Sequence, residues 1–191
     1  MTLRRFIVLG LVFAAFQAQA APRAPQNPDV SLVVNYDEGK IRYRHKMPYP
    51  VPSDKSVAGY TRTQPYGAMR VTGAGASYKI VLDVGFKPFF VDISSLAAFG
   101  SCDFDLILKH ELTHVALYRA VMDEYIRVIG ASLKRRLESE LRKGKEFSQI
   151  TSSLSRTFND SFAAFAKDAN AQNALLDKNY AYQWGQCRGK N

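Results

Sequence analysis

The sequence predicts an α+β chain: a small antiparallel β-sheet followed by a long antiparallel helical hairpin. Two observations carry this. Between Val30 and Ser94 the apolar residues alternate or run in short β-branched blocks, the pattern of strands. From about Phe104 the apolar period changes to steps of three and four, and no proline follows to interrupt it.

The first twenty residues stand outside that fold. Arg4 and Arg5 make a short basic region, an apolar run from Phe6 to Phe16 follows, and "AQA" precedes Ala21. That order is the pattern of a secretory signal peptide cleaved after Ala20. The apolar run is short of the roughly 20 residues a membrane-spanning helix needs. The expected product is secreted or periplasmic, without stable membrane insertion. Residues 21–28 read as a flexible Pro- and Ala-rich lead-in, and 29–191 as one domain.

Val30–Tyr36 and Ile41–Lys46 read as two strands of a hairpin around the turn "DEGK". Ile41, Tyr43 and His45 alternate with Arg42, Arg44 and Lys46, which gives the second strand one wet face. The prolines of "PYPVPSDKS" end the pattern because they cannot continue a ladder. "VTGAGAS" has a phosphate-loop look, but no Lys-Ser/Thr follows it, so it reads as a turn. "YKIVLDVG" and "PFFVDIS" read as two more strands, and "DISSLAAFGSCDFD" as a connector.

The first helical stripe is Ile107, Leu108, Glu111, Leu112, Val115 and Tyr118, continuing through Val121, Met122, Tyr125, Ile126, Ile129, Leu133, Leu137 and Leu141. "RKGK" at 142–145 supplies a basic end and a glycine, a helix stop. Phe147, Ile150, Leu154, Phe158, Phe162, Phe165 and Ala169 then form a narrow second stripe suited to packing on the first helix.

Two of the three histidines lie in "LKHELTH", residues 108–114. His110 and His114 are four apart on one helix, so their side chains share a face, about 5–6 Å apart at Cβ. That spacing suits two imidazoles gripping one zinc ion, with Glu111 flanking the metal as general base and then acid. A catalytic zinc needs a third protein ligand and an open position. Glu124 lies about 21 Å along the helix axis from His110, too far to share an ion. His45 sits between Arg44 and Lys46, which would repel a cation.

The two cysteines, Cys102 and Cys187, are expected to pair in an oxidising compartment. A hairpin turning near Gly144 brings them level with each other. The same register sets Leu112, in the middle of the motif, opposite about residue 177, where Asp177 stands. Asp168 and Asp160 are the fallback carboxylates, further along the helix.

The motif resembles that of the zincin metallopeptidases. Asp177 followed by Tyr180 is also similar to the Asp-x-x-Tyr third-ligand segment of the aspzincins, although that family's flanking glycine and threonine are replaced in "ALLDKNYAY". The resemblance implies a Zn2+ cofactor held by His110, His114 and Asp177. It also implies catalysis by Glu111, with Tyr180 or Tyr182 donating to an oxyanion. The expected activity is zinc-dependent peptide-bond hydrolysis on a peptide or protein substrate, with an edge strand beside the helix holding the peptide. The rival expectations are an inactive zincin-like protein and a basic module binding anionic envelope polymers. Net charge is +9, of which Arg4 and Arg5 contribute two. Charge of this sign favours anionic partners. Nucleic acid is not expected: "RYRHK" mixes aromatic and basic residues, but one wet strand face explains it.

Overall fold

A computed structural model describes residues 27–45, 59–95, 97–180 and 187, with side chains in the last helix through Lys178. The signal segment, most of the lead-in, Tyr182 and Trp184 lie outside these residues, as does the Tyr180 side chain.

Among the described residues, six strands precede two helices. The strands are β1 (Asp29–Asp37), β2 (Ile41–Arg44), β3 (Gly59–Arg62), β4 (Pro65–Ala74), β5 (Ser77–Phe86) and β6 (Phe89–Ile93). They form two three-stranded sheets, ordered β1-β5-β4 and β2-β6-β3. In each, one pair is parallel (β1 with β5, β2 with β6) and the other antiparallel (β4 with β5, β3 with β6).

The two sheets are successive halves of three bent ribbons. Asp37 pairs with Gly85 and Ile41 with Phe89, the same offset, so the β1–β2 ribbon keeps its register across the break. On the other side Pro65 pairs with Phe86 but Arg62 with Phe90, so the β5–β6 ribbon carries one extra residue there. An extra residue bends a strand as a bulge does, and Pro88 in the gap offers no ladder donor. Lys87 N donates to Gln64 O at 2.9 Å and Phe89 N to Lys40 O at 2.8 Å, which carries the hydrogen bonding through the bend.

The expected α+β order stands, with strands first and a helical hairpin after. The expected hairpin of Val30–Tyr36 with Ile41–Lys46 does not. β1 and β2 lie end to end in one ribbon, and "DEGK" is a joint rather than a reversal; Lys46 lies outside the described residues. The single antiparallel sheet is replaced by two mixed sheets. The reason is the central ribbon: Ile80, Leu82, Val84, Phe86, Phe89, Val91 and Ile93 are all buried, so the most apolar ribbon takes a partner on each side. The turn read in "VTGAGAS" is present, at Gly75 and Ala76, and joins β4 to β5.

Helix α1 (Cys102–Arg142) begins where Ser101 Oγ accepts from Phe104 N at 3.2 Å, with Asp103 and Asp105 in the first turn. Both features offset the unpaired N–H groups and positive dipole of a helix start. It ends in a Schellman motif: Gly144 N bonds Leu141 O at 3.0 Å and Lys145 N bonds Glu140 O at 3.3 Å. Gly144 has φ 69°, a conformation glycine takes without penalty. The chain then reverses into α2 (Phe147–Tyr180). Met122, Ile129, Leu133, Leu137 and Leu141 on α1 are buried together with Ile150, Leu154, Phe158, Phe165 and Ala169 on α2. Burial of each large side chain among them stabilises by about 1.5–3 kcal/mol. This apolar seam fixes the register that brings the open end of the hairpin together.

Candidate metal centre

The open end of the hairpin collects polar groups. Tyr118 Oη donates to Asn170 Oδ1 at 3.0 Å, one turn nearer the opening Asn173 Oδ1 lies 2.7 Å from His114 Nδ1, and His110 Nε2 lies 3.1 Å from Asp177 Oδ1. Asn170, Asn173 and Asp177 are thus matched rung by rung with Tyr118, His114 and His110. This is the register inferred by folding the chain about Gly144. A disulfide joins Cys102 to Cys187 with Cα atoms 5.8 Å apart, beyond the last of these rungs.

Three atoms converge at the motif. His110 Nε2 and His114 Nε2 are 3.1 Å apart, and Asp177 Oδ1 is 3.1 Å from the first and 2.9 Å from the second. The two rings stand nearly perpendicular, centroids 4.7 Å apart. His114 is buried and His110 partly so, whereas the Asp177 side chain is 65% exposed. The triangle therefore has a protein-covered side and an open side.

Glu111 faces inward and is 3% exposed. Its carboxylate lies with the two imidazoles in a group whose potential ligand atoms are all within 4.8 Å of one another, so a metal ion fits among His110, Glu111 and His114. Thr61, on β3, donates to Glu111 Oε2 at 2.7 Å, and its hydroxyl also lies 3.0 Å from the Glu111 carbonyl oxygen. Burial pushes the Glu111 carboxyl above the ordinary carboxylate range, opposed by the Thr61 hydrogen bond and the two histidines. A raised pKa suits a group that must take up a proton and return it.

The strand that holds Glu111 comes unusually close. A Cβ at Gly59 would stand 2.5 Å from Glu111 Oε1 and 2.6 Å from Ile107 Cγ2, so only glycine lets β3 lie on α1 here. β3 is an edge strand among the described residues, paired with β6 alone. Thr61→Val is expected to leave the buried carboxylate without its donor and to cost about 1–3 kcal/mol. Urea unfolding of the two proteins at neutral pH checks this; an unchanged midpoint would mean that water replaces the hydroxyl.

His110, Glu111, His114 and Asp177 are thus brought together. The other candidate ligands are held elsewhere. His45 Nε2 is 2.8 Å from Ala97 O, and its ring meets Phe104 edge-on at 5.3 Å. Glu124 is paired with Arg127 at 2.5 Å. Asp168 accepts from Gln172 at 2.8 Å, and Asp160 is exposed. Tyr180 is the last residue of α2, with its side chain outside the described residues.

Thr61, Gly59 and Asn173 were missed in the sequence. Asn173 left a signal: it lies four residues before Asp177, one helical turn away on the same side of α2. Thr61 left none, because only the docking of β3 brings it to α1.

The donor set suits a divalent metal ion. Imidazole nitrogens and carboxylate oxygens are ordinary ligands for such ions, and ligand atoms about 3 Å apart can share one ion at bonds of about 2 Å. No described helix is long and apolar enough to cross a membrane. No protein-family model, curated protein or solved structure matches this chain.

Proposed function

We propose that this protein is a secreted or periplasmic zinc-dependent peptidase of zincin type, with His110, His114 and Asp177 holding the metal. The observation that carries the reading is the triangle of His110 Nε2, His114 Nε2 and Asp177 Oδ1, with edges of 3.1, 3.1 and 2.9 Å, open on one side. Three protein ligands and an open position are the arrangement of a catalytic rather than a structural zinc. Zinc bound there would supply Lewis acidity, acidifying water to a pKa of about 7 and polarising a carbonyl.

The chain's own residues do the rest. Glu111 takes the proton of the attacking water and later delivers it to the departing amine. Thr61 holds one carboxylate oxygen and so fixes the direction of the other. The edge of β3 that no described strand pairs with offers main-chain donors and acceptors to an extended peptide, next to the carboxylate that its own Thr61 engages. The N-terminal leader pattern and the Cys102–Cys187 disulfide support an oxidising, extracytoplasmic compartment. The basic composition favours acidic protein substrates or envelope polymers as partners.

Metal content tests the reading. The mature protein, purified with its disulfide intact and equilibrated with zinc, should hold about one zinc per chain. His114→Ala and Asp177→Ala should lose it or bind it far more weakly. No zinc in the wild-type protein would overturn the metal centre, and zinc fully retained in Asp177→Ala would remove Asp177 from the ligand set.

A further inference from the structure

Asn173 is an odd residue for its place. It lies inside α2, where asparagine is a poorer helix former than alanine, and it is 7% exposed. A buried carboxamide is tolerated only when its hydrogen bonds are made. Here they are made in a way that leaves no choice of orientation. Asn173 Nδ2 donates to the Ala169 carbonyl oxygen at 2.7 Å. A carbonyl oxygen only accepts, so the amide nitrogen must face it and Oδ1 must face His114. Oδ1 in turn only accepts, so His114 Nδ1, 2.7 Å away, must carry a proton.

A neutral imidazole protonated at Nδ1 has its lone pair on Nε2. That lone pair faces the Asp177 carboxylate oxygen Oδ1, an obligate acceptor, at 2.9 Å, with His110 Nε2 at 3.1 Å beside it. Acceptors that close repel one another unless a cation or a proton sits between them. We propose that Asn173 is a positioning residue: it locks His114 in the Nδ1–H tautomer and so presents Nε2 to the metal. The proposal rests on the metal-centre reading, and it adds why one histidine of the pair is poised before metal arrives. Partners beyond the ligands commonly fix the tautomer of a zinc histidine in this way, and their loss weakens metal binding about 10- to 100-fold. A neutral carboxamide holds the ring without adding a negative charge to the Asp177 side of the centre.

Two measurements on the full mature chain test it. Long-range proton–nitrogen spectra of the metal-free wild-type protein, at about pH 8.5 where an ordinary histidine is neutral, should show His114 protonated at Nδ1. Zinc affinity, read by competition with a chromophoric chelator, should fall about 10- to 100-fold in Asn173→Ala. It should return to at least the wild-type value in Asn173→Asp, which keeps the acceptor. A merely structural role would not be rescued by aspartate, since a buried carboxylate is harder to accommodate than the amide. His114 found protonated at Nε2 would overturn the proposal, as would Asn173→Ala binding zinc as tightly as wild type. If Asn173→Ala does not fold, the wild-type tautomer and the Asn173→Asp affinity decide. If the wild-type protein binds no zinc, the metal centre fails, and the tautomer of His114 still supports or refutes the lock.

Discussion

Glu111→Gln is expected to lower peptide hydrolysis by about 10²- to 10⁴-fold, the usual contribution of a general acid–base group, while zinc content stays at the wild-type level. Glutamine fills the same space and keeps an oxygen for the Thr61 hydroxyl, which donates to Glu111 Oε2 at 2.7 Å. It removes a carboxylate that burial already disfavours, so the variant should be no less stable than wild type. What it cannot do is accept a proton. Initial rates on fluorescein-labelled casein, measured beside metal content and an unfolding curve, separate the possibilities. Activity within about twofold of wild type would rule Glu111 out as the base. Loss of activity together with loss of zinc would assign Glu111 to holding the metal. A wild-type protein that binds zinc but hydrolyses no substrate would favour a zincin-like protein without turnover.

Removing the disulfide by Cys102→Ser with Cys187→Ser should be the largest single loss of stability. The bridge spans 85 residues of sequence. Closing a loop of that size restricts the unfolded chain by about 4.5 kcal/mol in the chain-entropy view. Cys102 is the first residue of α1, and Cys187 lies just beyond the end of α2, so the bridge also ties down the turns that carry Asp177. Asp177 is exposed and is held at its end of the hairpin by the two histidines. The serine variant should therefore bind zinc at least about tenfold more weakly, as expected when the support of a ligand is lost. Urea unfolding reads the first effect and chelator competition the second. An unchanged midpoint would show that the seam alone sets stability. Unchanged affinity in a destabilised variant would show that the packing of α2 suffices to place Asp177.

The candidate centre was more legible in the sequence than the sheets. His110 and His114 meet because they lie one turn apart on a helix, a local relation that spacing alone expresses. Asp177 followed from a single further assumption, that two apolar stripes joined at Gly144 pack antiparallel, and the cysteine pair expected from an oxidising compartment fits the same register. Each helix buries one stripe, so folding about that glycine leaves little freedom in register, and Tyr118–Asn170, His114–Asn173 and His110–Asp177 all obey it.

The strands were different. Alternation in Ile41–Arg44 tells which residues share a face, and Arg42 and Arg44 do lie together over Phe90. It says nothing about which strand lies alongside, because parallel and antiparallel neighbours bury the same faces. The choice went to the central ribbon, Ile80 to Ile93, whose Ile80, Leu82, Val84, Phe86, Phe89, Val91 and Ile93 are all buried and which recruits β1 and β2 in parallel from nearly fifty residues away. Thr61 and Gly59 reach Glu111 through that same pairing: β3 is held by β6, and β6 by the core. Helical periodicity and one reversal thus account for the meeting of His110, His114 and Asp177. The hydrogen bonds that hold Glu111 come from β3, whose partner is chosen by long-range apolar burial, and this no local pattern records.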